Sequence, residues 1–301
     1  MRERNPSAVL QTPAISADPG ISGFVILLCA LIVCGCAPAQ ERAESSAELV
    51  SKARSAHNAG HPDQAIDLAT KAIEADPASP SAYSFRASVY ESAHRFSEAL
   101  EDYDHLAELL PRNSDVYNQR GSAHFKAGHI DESINDFDRS IKLEPRQEPY
   151  HWQRGISYYY AGRYDAGKRQ FESHQTVNSS DVENAFWHYL CSARLSGADD
   201  AREKLLPIRD DSRVPMMKIY ALLHGEASVE DVLETARTES SSSQRASALF
   251  YAHLYIGLYY EARGNDALAR RHITAASEDH QAGHYMWHVA RVHAERFKKR
   301  D

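Results

Sequence analysis

Histidine and aromatic side chains are the groups in this chain whose types and spacing could do chemistry. Among 16 histidines, His280, His284 and His288 recur every four positions. On one unbroken helix that spacing would stack imidazoles on a single face, as two metal ligands require. Gly283 interrupts the span, so the helix is expected to begin near His284 and only His284 and His288 share a face. Spacing supplies no third ligand, so no metal and no cofactor is assigned. Tyr285, Met286 and Trp287 read instead as the packed side of a helix docking on the last repeat, with histidines along its margin. The chain has no Gly-x-Ser-x-Gly, phosphate-cradling glycine loop or His-Glu-x-x-His, so no catalytic residue is assigned and it reads as a non-enzyme. Carboxylates such as those in Glu101-Asp102-Tyr103-Asp104 are expected on solvated helix faces.

The elements that would position such groups are set by a period. Pro77, Pro111 and Pro145 stand 34 residues apart, and each closes a stretch that repeats the one before it. In register, one slot stays small: Ala65, Ala99, Ser133 and Gly167. The slot five residues earlier holds Gly60, His94, Gly128 and Gly162; another holds Tyr103, Phe137 and Phe171; a fourth holds Tyr90, His124 and Tyr158. Gly121 and Gly155 match within the first helix of their segments. Small residues let antiparallel helices approach, a glycine ends the first helix in the left-handed conformation, and the aromatic fills the gap. Proline then stops the second helix. An ordinary bundle also places apolar residues every three or four positions, but has no reason to keep glycine, alanine, aromatic and proline at fixed offsets.

This pattern resembles the tetratricopeptide repeat. The resemblance implies an all-α fold: a helix-turn-helix repeat solenoid of about five to six helix pairs plus a C-terminal helix. Segments 46–79, 80–113, 114–147 and 148–181 are the expected repeats, with Ser179 in place of the closing proline in the last. Gly257, Tyr260, Gly264, Ala269 and Ala276 mark a further copy. The expected organisation is a signal segment at 1–36, a tether at 37–45, repeats at 46–181, irregular helix pairs at 182–239, and a final repeat with a capping helix at 240–301. Carrying over the family's groove-facing slots gives Ser84, Ser88, Asn118, Ser122, Lys126, Trp152, Ile156, Tyr159 and Tyr160. Of these, Asn118, Lys126, Trp152, Ile156, Tyr159 and Tyr160 are the candidate partner-binding residues. Exposed aromatics in a groove would carry interface energy, although such rings also pack on the next helix. The clamp that holds a C-terminal carboxylate in chaperone-binding repeats is not reproduced.

The N-terminus carries the second signal. Ile21 to Ala37 is an apolar run that ends Val33-Cys34-Gly35-Cys36. An apolar stretch ending in small residues reads as a secretory signal. Cysteine after a small residue resembles the bacterial lipobox, which implies lipidation at Cys36; Val33 makes Cys34 the poorer choice. An uncleaved anchor is the alternative, because the run approaches membrane-spanning length. Both readings place the repeats outside the cytoplasm on a membrane tether. Cys29, Cys34 and Cys36 belong to that segment, leaving Cys191 as a small core residue. The net charge of −8 argues against a nucleic-acid partner. The basic Arg296-Phe297-Lys298-Lys299-Arg300 complements a helix C-terminus.

The order of the second half, from Phe186-Trp187-His188-Tyr189-Leu190 through Lys218–Gly225 to Tyr255–Gly264, is similar to the NlpI-like bacterial lipoproteins. That resemblance implies a homodimeric adaptor on the outer membrane facing the periplasm, with peptidoglycan (murein) hydrolases or a periplasmic protease as partners. Ala37 after Cys36 is compatible with outer-membrane sorting. A secretion or pilus assembly factor, and a metal-binding protein using the terminal histidines, are the competing readings.

Overall fold

The computed structural model of the protein describes residues 44–279 and 284–299. The expected signal segment with Cys36, most of the tether, His280, Gly283 and Arg300 lie outside the described residues. Ser45, the last residue of the expected tether, caps the first helix. Its hydroxyl accepts from the Glu48 amide, and the Glu48 carboxylate accepts from the Ser45 amide at 2.8 Å, a reciprocal cap on the first helix.

Every regular element among the described residues is helical. Four pairs follow in order: α1 (Ser46–Asn58) with α2 (Pro62–Ala75), α3 (Pro80–Ser92) with α4 (Phe96–Leu109), α5 (Ser114–Ala127) with α6 (Ile130–Leu143), and α7 (Trp152–Tyr160) with α8 (Tyr164–Gln175). A 3-10 turn, Pro145–Tyr150, joins α6 to α7. Then come α9 (Val182–Ser196), α10 (Ala198–Glu203), α11 (Met216–His224) and α12 (Val229–Arg237). The long α13 (Ser242–Ala262) pairs with α14 (Asp266–Thr274), and α15 (Tyr285–Lys298) closes the fold. No described helix is long and apolar enough to cross a membrane.

The repeat slots do the physical work their residue types suggest. Pro77, Pro111 and Pro145 each follow the last residue of α2, α4 or α6 by two positions. A Cβ on Gly155 would stand 2.7 Å from the Phe171 ring, and one on Gly257 would stand 2.8 Å from Ile273, so only hydrogen fits. Gly60, Gly128 and Gly162 have φ of 82°, 84° and 73°. His94 holds the same turn at φ 59°, a conformation that disfavours a side chain. Its ring lies 5.0 Å from Trp287 and 5.4 Å from His288, contacts that a glycine would forgo.

One repeated device went unread in the sequence. Arg86, Arg120 and Arg154 also stand 34 apart. Each guanidinium reaches 16 residues forward and 16 back: Arg86 to Asp102 and Thr70, Arg120 to Asp136 and Asp104, Arg154 to Gln170 and Asp138. Arg86 and Arg120 grip their forward aspartates with two parallel bonds, 3.0 and 2.7 Å in one case and 2.7 Å twice in the other. Asp102 is therefore no solvated surface carboxylate; it is 1% exposed, and its placement on a polar face is corrected.

Packing divides the array in two styles. The early repeats hold two small cores, one around Leu49, Ala69 and Phe85 and another around Tyr83, Ala99 and Leu106. That is the neighbour-to-neighbour packing of a repeat protein. From Phe125 to Phe297 one continuous core runs through α7, α9, α13 and α15.

Candidate functional site

The first helices α3, α5 and α7 carry the slots expected to face a partner, and the structure treats the two ends of that face differently. Ser88 is exposed, while Ser84, Asn118 and Ser122 are half-buried. Asn118 lies beside a cleft lined by Ser114, Asp115, Glu144 and Tyr150, with the Tyr150 ring 57% exposed. Ser114 donates to the Glu144 carboxylate at 2.6 Å. This end is polar and open.

At the other end α15 lies on the same face. Phe125 stacks on Tyr285 at 5.4 Å, Trp152 meets Tyr285 edge-on at 5.2 Å, and Phe96 meets His288 edge-on at 5.4 Å. Lys126 is ion-paired with Glu91 and sits 5.9 Å over the Tyr285 ring. Tyr160 lies 2.9 Å from His293 Nδ1, and Arg296 covers the Tyr160 ring at 5.1 Å. Ile156, Tyr159 and Tyr160, expected as groove residues, are buried by the chain itself. Trp152 and Lys126 remain half-buried. The physical reason is plain: an aromatic-rich face is costly to leave wet, and α15 supplies Met286, Trp287, Val289 and Ala290 to cover it.

A polar network pins this helix. His293 Nε2 is 3.2 Å from Glu261, Glu261 is 3.0 Å from Arg194, and Arg194 donates to the Tyr159 hydroxyl at 3.3 Å. Burial raises the hydroxyl pKa of Tyr159 and Tyr160 above the ordinary phenol value. His284 and His288, considered together as a metal pair, go to different neighbours: His284 stacks on Tyr251 at 5.3 Å, and His288 packs on His94, Phe96 and Trp287. Burial, then the charges of Lys126, His94 and Arg291, push His288 down to about 3, so it is neutral near pH 7. Among the described residues no group of three or more His, Cys, Asp or Glu could hold a metal. Cys191 is buried with its thiol pKa raised by burial, and its sulfur lies 2.9 Å from where a Cβ on Gly167 would stand.

Sequence reasoning missed the coverage of the groove by α15. The one available signal was the run Tyr285-Met286-Trp287, which reads as a helix docking on the last repeat; α15 does meet α14 there, but it also returns to α5.

Comparison with known proteins agrees with this geometry. Residues 50–114 and 114–147 match two tetratricopeptide repeat profiles. No curated protein matches the chain. The crystal structure of a tetratricopeptide repeat protein from Parabacteroides merdae ATCC 43184 is 15% identical, covers 81% of this chain and 96% of that one, and has a TM-score of 0.53. The crystal structure of MamA protein is 18% identical, covers 52% of this chain and 86% of that one, and has a TM-score of 0.50. The first TPR of Spaghetti (RPAP3), bound to an HSP90 peptide, is 32% identical over 33% of this chain and 79% of that one, with a TM-score of 0.32. With repeat profiles over residues 50–147 and stacked pairs whose glycines, aromatics and prolines fall in phase, the chain belongs to the tetratricopeptide repeat proteins.

Proposed function

We propose that this protein is a non-catalytic docking scaffold, tethered outside the cytoplasm through a lipid on Cys36. The observation that carries the docking part is the repeat array itself, whose stacked pairs line their first helices into one face, covered by α15 at one end and open at the other. The open part of that face, around Ser88 and Asn118, is where a protein partner would sit. The tether rests on the apolar run ending Gly35-Cys36.

The partners that fit this reading are cell-envelope enzymes of the NlpI-like kind: peptidoglycan hydrolases or a periplasmic protease, met at the outer membrane by a scaffold that works as a dimer. Crosslinking followed by pull-down of the full chain from envelope extracts tests this. Recovery of a murein hydrolase or protease, lost on Ser88→Arg with Asn118→Arg at unchanged thermal stability, is the expected result. Recovery of cytoplasmic proteins alone would sink the export claim. A mass spectrum of unmodified Cys36 in an uncleaved chain would replace the lipid with an uncleaved anchor.

A further inference from the structure

The turn between α5 and α6 faces the last two turns of α15 across a pocket of about 290 Å3, near the lower end of small-molecule sites. Lys126, Arg291, Arg296 and Lys299 line it, and Glu295 is the acidic side chain among the described lining residues. Two of these charges are already spent. Lys126 is ion-paired with Glu91, and Glu295 accepts from Lys298 at 2.7 Å. Arg291, Arg296 and Lys299 are in no ion pair among the described residues. Arg291 lies 5.2 Å from the Trp287 ring and Arg296 5.1 Å from the Tyr160 ring, contacts that attract a cation without neutralising it. The ladder guanidiniums Arg86, Arg120 and Arg154 are also half-buried, yet each has oxygen partners.

Helix ends account for only part of this charge. Ala127, Tyr160 and Lys299 stand at the C-terminal ends of α5, α7 and α15, and Ile130 opens α6. These ends carry about half a unit each and together about −1, so about two positive charges remain. The surplus is local, since the whole chain has a net charge of −8. A phosphomonoester carries about −1.5 to −2 near pH 7 and three acceptor oxygens, which suit two guanidinium forks and an ammonium. A carboxylate brings only one charge and two oxygens. Half-buried Ile130 and Val292 add apolar wall beside the cations, so the anion has room to carry an organic part.

We propose that this pocket binds a phosphomonoester, with the phosphate held by Arg291, Arg296 and Lys299 and the organic part lying against Ile130 and Val292. Soluble phosphates and the headgroup of phosphatidic acid share that chemistry. The site does not depend on the docking role, and either can fail alone.

Titration calorimetry of the full chain in a nonionic detergent tests it at about pH 8, where the monoester is a dianion. The probes are glycerol 3-phosphate and dihexanoyl phosphatidic acid, with the monoanions acetate and dimethyl phosphate as controls. At least one monoester is expected to bind saturably with a Kd of about 1 mM or tighter. Tighter binding of phosphatidic acid assigns the lipid headgroup, and equal or weaker binding assigns a soluble phosphate. Arg296→Gln should weaken binding about tenfold. Lys299→Glu reverses a charge on an exposed side chain and should weaken it by about the same factor. It is the deciding variant if Arg296→Gln loses its thermal unfolding transition. No saturable heat from either monoester up to about 20 mM would overturn the proposal. Acetate or dimethyl phosphate binding as tightly as the better monoester would refute the ligand class. Affinity unchanged in Lys299→Glu would place the anion elsewhere and overturn the site.

Discussion

Tyr160 and His293 are 133 residues apart in the chain and meet at 2.9 Å. That contact joins the fourth repeat to the terminal helix, and through His293 and Glu261 it continues to Arg194. It closes one half of the face that a repeat array would otherwise offer to a partner. The strength of this closure can be measured.

Removing the hydroxyl in Tyr160→Phe keeps the ring packing and deletes the contact, so unfolding in urea should show a loss of about 1 kcal/mol. Arg194→Met takes the guanidinium away from Glu261, which is nearly fully buried, and should cost about 3 kcal/mol. Equal stability of Tyr160→Phe and the parent would show that the contact contributes nothing to the closure.

Ending the chain after residue 283 deletes α15 and uncovers Phe125, Trp152 and Tyr160. Binding of the dye ANS should rise, as it does wherever apolar surface becomes wet. A synthetic peptide covering 284–301, added in excess, should reverse the rise. Dye binding that does not change on truncation would contradict the covering role of α15.

The glycine slots make a contrast of two mechanisms. Gly155→Ala drives a Cβ to 2.7 Å from the Phe171 ring, an overpacked core that should lose about 2 kcal/mol. Gly162→Ala meets no atom within 4 Å but keeps φ at 73°, and should lose about 1 kcal/mol from the left-handed turn. If the two orders reverse, the turn and not the close approach is the stricter requirement.

The arginine ladder makes a third. Asp136→Ala leaves Arg120 without its two 2.7 Å bonds, and loss of one partner of a buried pair costs about 3 kcal/mol. Asp104 also accepts from Arg120 but is largely exposed, so Asp104→Ala should cost well under 1 kcal/mol. Comparable losses for the two aspartates, read by thermal unfolding, would contradict the burial argument.

Acid should weaken the fold before carboxylates other than Glu183 titrate. Burial holds His94, His124, His151, His188, His272, His284 and His288 below the ordinary 6.5. For such a group the unfolded chain takes the proton first, so the stability present above 6.5 is lost as pH falls, toward about 3 for His288. Glu183, raised to about 7, and His174, also raised, act in the opposite sense: their contribution is lost as pH rises. Seven against two, the urea midpoint should fall between about pH 7.5 and about pH 5.5, and His288→Phe should flatten the fall. A midpoint that holds or climbs over that interval would reverse the sign of the argument.

Residue spacing alone determined the helix pairs, because one repeat slot meets the next through neighbours at a fixed offset: glycine against aromatic, proline after helix. The same period held Arg86, Arg120 and Arg154 in plain view, yet their partners at plus and minus 16 become evident only once helices are stacked. Asp102 read as a surface carboxylate for that reason. The groove residues Ile156, Tyr159 and Tyr160 were legible as a face, but not whether that face stayed free. Only the tertiary structure decided that, since α15 returns to α5 and α7 across more than a hundred residues with no period to announce it. Repeats write their local contacts into the sequence as a rhythm; a single long-range closure is settled by which buried surfaces fit, and leaves no rhythm to read.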